Sequence, residues 1–209
     1  MCLEPGKSTG LDRCPNEVSK TMTDEEFQIV KMWVNEILTE DTNRQRATMK
    51  GTISQLHKGG GTNKTSDQGP VVLLNSVYQL LNYVINEQLK KIVEPANILE
   101  QGQGGGRQGC CVGINMQMVR FIQQEARRQG KRVYRVEIDF KNAFNAMSQA
   151  ALWRVMRMFK IPDVDLLEQI YEGATVRLAP NGEESAKLTF DTLPGVAQGS
   201  ITSPLKCII

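Results

Sequence analysis

The sequence has few of the residues from which metal sites and disulfide frameworks are built. Of its 209 residues only one is histidine, His57, and none of the five cysteines stands in a C-x-x-C pair. A structural zinc site is therefore not expected. The odd number and wide scatter of the cysteines fit a reducing compartment better than a secreted framework. We therefore expect an intracellular protein, nuclear or cytoplasmic.

Long apolar runs and a strong charge of one sign are also missing. No stretch of about 18 apolar residues occurs, and no apolar signal region opens the chain, so neither a membrane partner nor secretion is expected. A net charge of +2 removes the argument for nucleic-acid binding that a strongly basic domain would supply. A binding groove would need a local cluster, and the alternative for such a cluster is a solvated helix end. The candidates are Arg127, Arg128, Lys131, Arg132 and Arg135.

The composition is otherwise that of a globular protein. Hydrophobic residues make up 40% of the chain and charged residues 23%, close to the average of folded domains. A chain of this length buries a sizeable core. One domain, or one domain with two lobes, is expected.

Helical spacing of apolar residues recurs along the chain. A T-x-x-E capping box at residues 23–26 predicts the start of a first helix. A second helix is predicted over residues 74–92, and Pro95 ends it. A third is predicted over residues 114–128. Its inner face would carry Met118, Phe121 and Ile122.

Two shorter helices are predicted in the second half of the chain. Ser148 is a suitable N-cap for a helix that carries Leu152 and Met156 on one face. Pro162 breaks this helix, and another follows over residues 163–173. The glycine-rich residues 59–69 and 101–109 are expected to be irregular, the former as a mobile loop.

Strands are predicted from alternation and from turn residues. In Y-R-V-E-I-D-F (residues 134–140) apolar and charged residues alternate, which predicts a half-buried strand with Asp139 on its open face. Residues 175–179 and 187–190 are predicted to form a hairpin around the Asn-Gly pair at residues 181–182. Helices first and strands later predict an α+β fold.

Two short segments look like nucleotide-binding loops but lack a glycine that a P-loop requires. G-K-S at residues 6–8 lacks the glycine five residues earlier that a P-loop requires, and no strand precedes it. Before Lys64-Thr65 the required glycine is replaced by Asn63. Nucleotide binding of the P-loop type is therefore not expected.

Two motifs in the second half of the chain have a more specific resemblance. D-F-K-N-A-F (residues 139–144) resembles the D-x-x-x-A-F pattern of motif A of reverse transcriptases. G-V-A-Q-G-S-I-T-S-P-L (residues 195–205) resembles their motif B, G-x-x-Q-G-x-x-x-S-P-L. The two stand in the order of the family, with a helix and a hairpin predicted between them.

The resemblance extends upstream to most of the chain. G-L-D-R-C-P-N-E (residues 10–17) is similar to the G-x-D-x-x-P-N-E segment that opens the domain in LINE-type retrotransposons. P-V-V-L-L-N (residues 70–75) resembles R-P-I-S-L-L-N, and residues 103–107 resemble Q-x-G-F-x-x-G-R. Residues 53–58 resemble the strand of the fingers that ends in lysine. The resemblance therefore points to the LINE branch.

This resemblance implies the fold of a right-hand polymerase with fingers and an incomplete palm, helix-rich with a small antiparallel sheet. Residues 1–22 would be an irregular lead-in, residues 23–130 the fingers, and residues 131–209 the part of the palm that carries motifs A and B. The Asp-Asp motif of the family is expected beyond Pro204 and is missing. The strand with Asp139 is therefore expected to expose an edge, with poor solubility as the consequence.

The resemblance also implies a chemistry and a set of site residues. Asp139 would be a ligand of the two Mg²⁺ ions of a nucleotidyl transfer, because Mg²⁺ prefers oxygen ligands. Phe144 would be the steric gate that selects deoxynucleotides, with core packing as the alternative, and Gln198 and Gly199 would line the incoming nucleotide. Lys58 and Arg107 would contact the triphosphate or the template backbone, with surface charge as the alternative. The implied partners are an RNA template, a DNA primer and deoxynucleoside triphosphates; the oligomeric state is left open.

Departures from the family keep several functions open. Gly69 stands where the family has arginine, Asn145 where aspartate often follows motif A, and Lys206-Cys207 where Leu-Phe is usual. An RNA-directed DNA polymerase of a retroelement, represented by a fragment that is inert without its Asp-Asp motif, is the first interpretation. A non-catalytic nucleic-acid-binding remnant or domesticated module is the second. An RNA-dependent RNA polymerase is a third, although motif A of that class usually carries a second carboxylate at the position of Phe144.

Overall fold

A small sheet and eight helices make up the described part of the chain. The computed structural model describes residues 6–39, 50–57, 68–107, 109–172, 174–178, 189–190 and 195–209. The helices are α1 (Val18–Thr21), α2 (Asp24–Thr39), α3 (Ser76–Val93), α4 (Val112–Arg128), α5 (Ala143–Ala146), α6 (Gln149–Met158), α7 (Val164–Glu172) and α8 (Ser203–Ile208). The strands are β1 (Lys50–His57), β2 (Gln68–Leu74), β3 (Thr175–Leu178) and β4 (Thr189–Phe190).

The sheet is mixed, so the prediction of an antiparallel sheet was wrong. Its strand order is β2-β1-β3-β4. β1 pairs antiparallel with β2, in the register Ile53 opposite Val72, and β3 pairs antiparallel with β4. β1 and β3, however, are parallel, with Lys50 opposite Thr175. A parallel pair requires a long crossover, and the chain between β2 and β3 contains five helices that supply it.

Several helix boundaries follow from capping residues that the sequence displays. Thr23 and Glu26 form the predicted capping box at α2: the Thr23 N–H donates to Glu26 Oε2 at 2.9 Å, and the Glu26 N–H donates to Thr23 Oγ1 at 3.3 Å. Ser148 caps α6, since its hydroxyl accepts from the Ala151 N–H at 3.3 Å. α1 forms one helical turn inside the segment that was expected to be irregular.

The core lies between the sheet and helices α2, α3, α6 and α7. Leu81 of α3 and Met156 of α6 are fully buried, and β3 contributes Val176. The turn that precedes α8 contributes Val196 and Ala197. Residues of motif B are therefore built into the same core that holds the helices together.

Helix α4 and the residues after it lie outside this core, contrary to prediction. No residue of α4 is buried, and Met118, Phe121 and Ile122 are 59%, 68% and 52% exposed. We call residues 112–140 the arm. The helix formed as its periodicity predicts, but among the described residues nothing covers its apolar face.

The strand predicted over residues 134–140 is not formed. Residues 131–140 run without helix, turn or bend, and every residue in this segment is exposed. A strand requires a hydrogen-bonded neighbour, and no ladder between described residues includes this segment. The alternation of apolar and charged residues thus predicted a segment that is suited to strand pairing, but among the described residues no strand pairs with it.

Other predictions fall on residues outside the described part of the chain. These are the Asn-Gly turn at residues 181–182, Lys58, and most of the loop at residues 59–69. Among the described helices, none is long and apolar enough to cross a membrane.

Candidate functional site

The turn that opens motif B is joined to motif A by a backbone hydrogen bond. The Val196 N–H donates to the Phe144 carbonyl at 2.9 Å. Gly195 has φ +69°, and a Cβ at this position would overlap the Phe144 carbonyl oxygen, so only glycine lets the two segments approach this closely. Phe144 itself is half-buried against the edge of the core.

The Gln198-Gly199 pair is held in place by β2 and α3. The Val72 N–H donates to the Gln198 carbonyl at 2.7 Å, and Gln79 Nε2 donates to the Gly199 carbonyl at 2.9 Å. Gly199 has φ +129°, and a Cβ there would overlap the Val72 carbonyl oxygen. The family glycine at this position therefore has a local steric cause as well as its implied role beside a nucleotide.

Buried polar side chains fix the start of α8 behind this turn. Thr202 Oγ1 donates to Asn82 Oδ1 at 3.0 Å, and the Ser200 and Thr202 hydroxyls lie 3.0 Å apart. Ser203 Oγ donates to the Ala197 carbonyl at 2.8 Å. A satisfied buried network of this kind rigidifies its surroundings. The side chains of motif B that face inward thus fasten the turn to α3.

Motif A is divided between two environments. Asn142, with φ +54°, is left-handed and leads into α5, which carries Phe144. Asp139 lies upstream on the exposed segment 131–140. The structure therefore brings Phe144 together with the motif B turn, whereas Asp139 lies on the arm.

Asp139 has no carboxylate cluster around it in the described part of the chain. No group of three or more His, Cys, Asp or Glu side chains able to hold a metal ion occurs among those residues. Two-metal nucleotidyl transfer needs several oxygen ligands for each ion. The donor set of the described residues does not fit such a site.

Arg107 is engaged within the chain. Its Nε donates to Glu94 Oε2 at 2.9 Å and its Nη1 donates to the Glu100 carbonyl at 3.0 Å. The side chain is only 15% exposed. These contacts close the loop between α3 and α4, so Arg107 anchors the base of the arm. Its contact with phosphate stays a prediction.

A lysine in an aromatic cage lies behind motif B. Lys206 is 1% exposed, and its Nζ lies 4.3 Å from the ring centroid of Tyr171 and 5.8 Å from that of Trp153. An ammonium over aromatic faces is stabilised by the ring quadrupoles. Burial raises the pKa of the neighbouring Cys207 thiol, and the Lys206 charge partly opposes that rise. This cage holds α8 against α6 and α7.

The buried phenol of Tyr78 belongs to the same interior. Burial raises the pKa of Tyr78 well above its ordinary value, the nearby Tyr171 adds to the rise, and the Asn82 side chain partly opposes it. α3 therefore presents Tyr78 and Asn82 toward the core on adjacent turns. Of the polar side chains on this stretch of α3, Gln79 and Asn82 hold motif B, through their hydrogen bonds with the Gly199 carbonyl and the Thr202 hydroxyl.

The N-terminal segment caps α3 from outside the helix. Asp12 Oδ2 accepts from the Ser76 N–H at 2.6 Å, and the Asp12 N–H donates to Asn75 Oδ1 at 3.3 Å. Gly10 lies so close to the Leu74 backbone that a Cβ would overlap it. A carboxylate at a helix N-terminus satisfies a free N–H and complements the helix dipole. Residues 10–12 thus orient the helix that supports the motif B turn.

Sequence reasoning missed four of these residues. Asp12 stands in the segment 10–17 that resembles the family and Lys206 directly follows motif B, but neither pattern revealed what these side chains contact. Gln79 and Asn82 gave a weak signal, since polar residues next to the apolar stripe of a helix either face solvent or serve a buried network. Lys206 gave the clearest signal, as a charge where the resemblance has an apolar residue.

Comparison with known proteins agrees with the motifs. No curated protein matches the chain. The model of the family described as reverse transcriptase (RNA-dependent DNA polymerase) matches residues 56–209. This range includes motif A, motif B, α3 and the sheet apart from most of β1. Since it covers well over half of the sequence, the chain belongs to the reverse transcriptase (RNA-dependent DNA polymerase) family.

Proposed function

We propose that the chain is the fingers and first part of the palm of an RNA-directed DNA polymerase from a LINE-type retroelement. The observation that carries the polymerase function is the hydrogen bond from the Val196 N–H to the Phe144 carbonyl, 2.9 Å long, and the resemblance of residues 10–17 supports the LINE branch. It places the aromatic residue of motif A beside the turn that contains Gln198 and Gly199. A pocket that tests the sugar of a nucleotide needs these two elements at a fixed separation.

The proposed pocket is held rigidly before a nucleotide arrives. The backbone of Gln198 and Gly199 is fixed from β2 and α3, and Gly199 is exposed. Without a side chain, Gly199 lets a nucleotide approach the backbone closely. Phe144 would then crowd a 2′-hydroxyl, and Gln198 would line the nucleotide. Rigid positioning of this kind is how a binding site lowers the entropic cost of orienting a substrate.

The basic cluster on the arm is the proposed contact for the primer and the RNA template. Arg127, Arg128, Lys131, Arg132 and Arg135 are all exposed. They span the end of α4 and the start of the segment that follows it. Contacts between such side chains and phosphates give affinity without sequence specificity.

Catalysis requires carboxylates beyond those that the described residues bring together. The bound Mg²⁺ ions of the family would supply charge neutralisation for the transfer of a nucleotide. Asp139 is the proposed ligand among these residues, and one carboxylate does not hold two ions. We therefore propose that these 209 residues, by themselves, bind nucleic acid without extending a primer.

Primer extension tests this proposal directly. The chain is incubated with an RNA template, an annealed DNA primer, Mg²⁺ and deoxynucleotides, next to Asp139→Asn as the matched variant. No extended product is expected from either protein. A product made by the unaltered chain and lost in D139N would overturn the proposed inactivity.

The polymerase ancestry has a separate test in the transcript. Reading frames downstream of Ile209 are expected to contain an aromatic–x–Asp–Asp sequence. A chain extended through that sequence is expected to copy RNA, and Phe144→Val in it is expected to raise incorporation of ribonucleotides relative to deoxynucleotides. Unchanged discrimination in F144V, with copying intact, would overturn the gate assignment.

The alternative function is a nucleic-acid-binding remnant that has lost the reaction. The observation that favours it is the isolation of Asp139 on an exposed segment, together with Gly69 and Asn145 where the family has arginine and often aspartate. Binding of a fluorescent RNA–DNA duplex, with an affinity that falls only gently as salt rises, is expected under both proposals. A downstream frame without the Asp-Asp sequence would favour the remnant.

A further inference from the structure

One arginine closes the loop between α3 and α4. Arg107 Nε donates to Glu94 Oε2 at 2.9 Å, and Arg107 Nη1 donates to the Glu100 carbonyl at 3.0 Å. Both donors belong to one planar guanidinium, so the two contacts together fix the course of the chain between them. We call residues 100–107 the glycine loop. The guanidinium therefore joins the glycine loop to the C-terminal end of α3.

The carboxylate of Glu94 depends on this arginine. The Arg107 and Glu94 side chains are 15% and 25% exposed, so solvent screens their attraction only in part. Glu94 Oε1 is buried and has no hydrogen-bond partner among the described residues. Loss of Arg107 would leave a partly buried carboxylate without a compensating charge, which is strongly destabilising. The guanidinium is thus committed to the chain itself and presents little of its surface to a phosphate.

On its other side the glycine loop lies against α8. A Cβ at Gly106 would stand 3.4 Å from Pro204 Cβ and 3.5 Å from Ile208 Cδ1. Only a gap the size of a methyl group therefore separates the loop backbone from α8. Gly106 directly precedes Arg107, so the contact of the loop with α8 and the contact of the loop with α3 are adjacent in the chain.

α8 in turn fixes the turn that opens motif B. Ser203, the first residue of α8, donates from its hydroxyl to the Ala197 carbonyl at 2.8 Å. Further along α8, Lys206 lies against the rings of Trp153 and Tyr171. A displacement of α8 would therefore move the motif B turn and would also change the surroundings of Trp153.

We propose that Arg107 is a positioning residue, which together with Glu94 clamps the glycine loop over α8 and thereby fixes the motif B turn. It acts on the nucleotide site through α8 and not by contact with the triphosphate or the template backbone. The value of that position to a polymerase rests on the proposed function, whereas the clamp is a property of the folded chain. The clamp can therefore be tested without nucleic acid.

The first experiment reads the position of α8 in the folded chain from the fluorescence of Trp153. Trp33→Phe leaves Trp153 as the single tryptophan, and Lys206→Met in that background gives its emission without the neighbouring ammonium. Arg107→Met keeps an apolar stem and removes the donors. It is expected to shift the emission in the absence of denaturant toward that of K206M, with the helical circular dichroism retained. Glu94→Ala opens the clamp without leaving an uncompensated carboxylate and is expected to give the same shift. Emission unchanged from W33F in both variants would refute the clamp.

Urea unfolding then tests whether Arg107 and Glu94 act as a pair. R107M is expected to lower the urea midpoint more than E94A, because it leaves the Glu94 carboxylate partly buried and uncompensated. The double variant is expected to be no less stable than R107M, since side chains that share one interaction do not lose it twice. Losses that add in full would show two independent side chains and would contradict the pair.

Lys90→Met is the matched control for the loss of a cation near the end of α3. Lys90 pairs with Glu87 at 2.8 Å within the same helix, so this ion pair does not reach the glycine loop. The variant is expected to leave the emission of Trp153 unchanged. A shift as large as that of R107M would mean that the emission responds to charge near α3 and not to the clamp.

The salt dependence of nucleic-acid binding separates the clamp from a phosphate contact. Each phosphate contact that a protein loses lowers the slope of log affinity against log salt concentration by about 0.7–0.9. With a fluorescent RNA–DNA duplex, R107M is expected to keep the slope of the unaltered chain, and E94A is expected not to bind more tightly. A slope reduced by one contact in R107M, or tighter binding when E94A frees the arginine, would assign Arg107 to phosphate. If the unaltered chain binds no duplex, the proposed function fails, while the fluorescence and the unfolding still decide the clamp.

Discussion

Helices α3 and α4 have nearly the same length but differ completely in burial. α3 has 18 residues and buries seven of them, whereas α4 has 17 residues and buries none. Both carry apolar residues at helical spacing. The comparison shows that periodicity identifies the face of a helix that can be covered, but not whether a partner covers it.

The difference comes from what surrounds each helix. α3 follows β2 directly, is capped by Asp12, and holds the motif B turn through Gln79 and Asn82. We call the described residues outside the arm the body. α4 is tied to the body at its base, where Asn115 Nδ2 donates to the Gly102 carbonyl at 2.7 Å. Its remaining length is free of the core. The body thus supports the proposed nucleotide site, and the arm carries Asp139.

The largest expected effect comes from truncating one apolar side chain in each helix. Leu81→Ala in α3 removes a fully buried side chain and is expected to lower the free energy of unfolding by about 2–5 kcal/mol. Phe121→Ala in α4, 68% exposed, is expected to change it by less than about 0.5 kcal/mol. Urea unfolding measures both. Equal losses would show that the arm is packed in solution.

The elements whose signals are local were predictable from sequence. The capping box at Thr23, the Ser148 cap and the helix breakers near Pro95 and Pro162 determine helix ends, because each acts on its own few residues. The partners of distant residues were not predictable. The parallel pairing of β1 with β3 joins residues more than a hundred positions apart, and no pattern in either strand specifies it.

The candidate site divides in the same way. The sequence identified Phe144, Gln198 and Gly199 as a group through motif resemblance, and the structure brings their segments together. It also grouped Asp139 with them, but a strand-end carboxylate reaches its site only when the strand has neighbours. Lys206 was visible as a departure, yet its cage depends on Trp153 and Tyr171 from two other helices.

Two glycines with positive φ sharpen the comparison at the level of the backbone. Gly199 in the body meets the Val72 carbonyl, whereas Gly130 in the arm, with φ +66°, has nothing within 4 Å. Gly199→Ala combines backbone strain with a clash and is expected to destabilise the fold by about 1–3 kcal/mol. Gly130→Ala carries strain alone, at about 1 kcal/mol. Thermal unfolding of both variants provides the measurement. A larger loss of stability in G130A than in G199A would contradict the clash that we assign to a Cβ at residue 199.

Alkaline pH tests the buried phenol of the body against an exposed one in the arm. Since the folded-state pKa of Tyr78 is raised, the unfolded chain loses this proton first, at about pH 10. The free energy of unfolding is therefore intact below that pH and falls above it, by up to about 1.4 kcal/mol per pH unit for one group. Tyr78→Phe is expected to abolish this part of the fall in the free energy of unfolding, which is measured as the shift of the urea midpoint between neutral and alkaline pH.

The matched control is Tyr134→Phe in the arm. Tyr134 is 85% exposed, so water surrounds its hydroxyl in both the folded and the unfolded chain. This variant is expected to keep the alkaline loss of the unaltered protein. If Tyr78→Phe and Tyr134→Phe reduced the alkaline loss of stability equally, that loss would not arise from the buried phenol.

The smallest effect concerns the caps of one packed helix and of the arm helix. Ser148 accepts from the Ala151 N–H at the start of α6, and Cys111 Sγ accepts from the Gly113 N–H at the start of α4. Ser148→Ala is expected to cost about 1 kcal/mol, because unravelling the first turn of α6 would disturb Leu152 and Trp153 in the core. Cys111→Ala is expected to lower the free energy of global unfolding by less, since a thiol is a weak acceptor and α4 can fray without exposing buried side chains.

Hydrogen exchange at the first turns of the two helices separates the two cases. S148A should speed exchange in step with the loss of global stability, whereas C111A should speed it locally while the urea midpoint stays in place. A midpoint shift in C111A as large as that in S148A would show that the folding of the arm is coupled to that of the body.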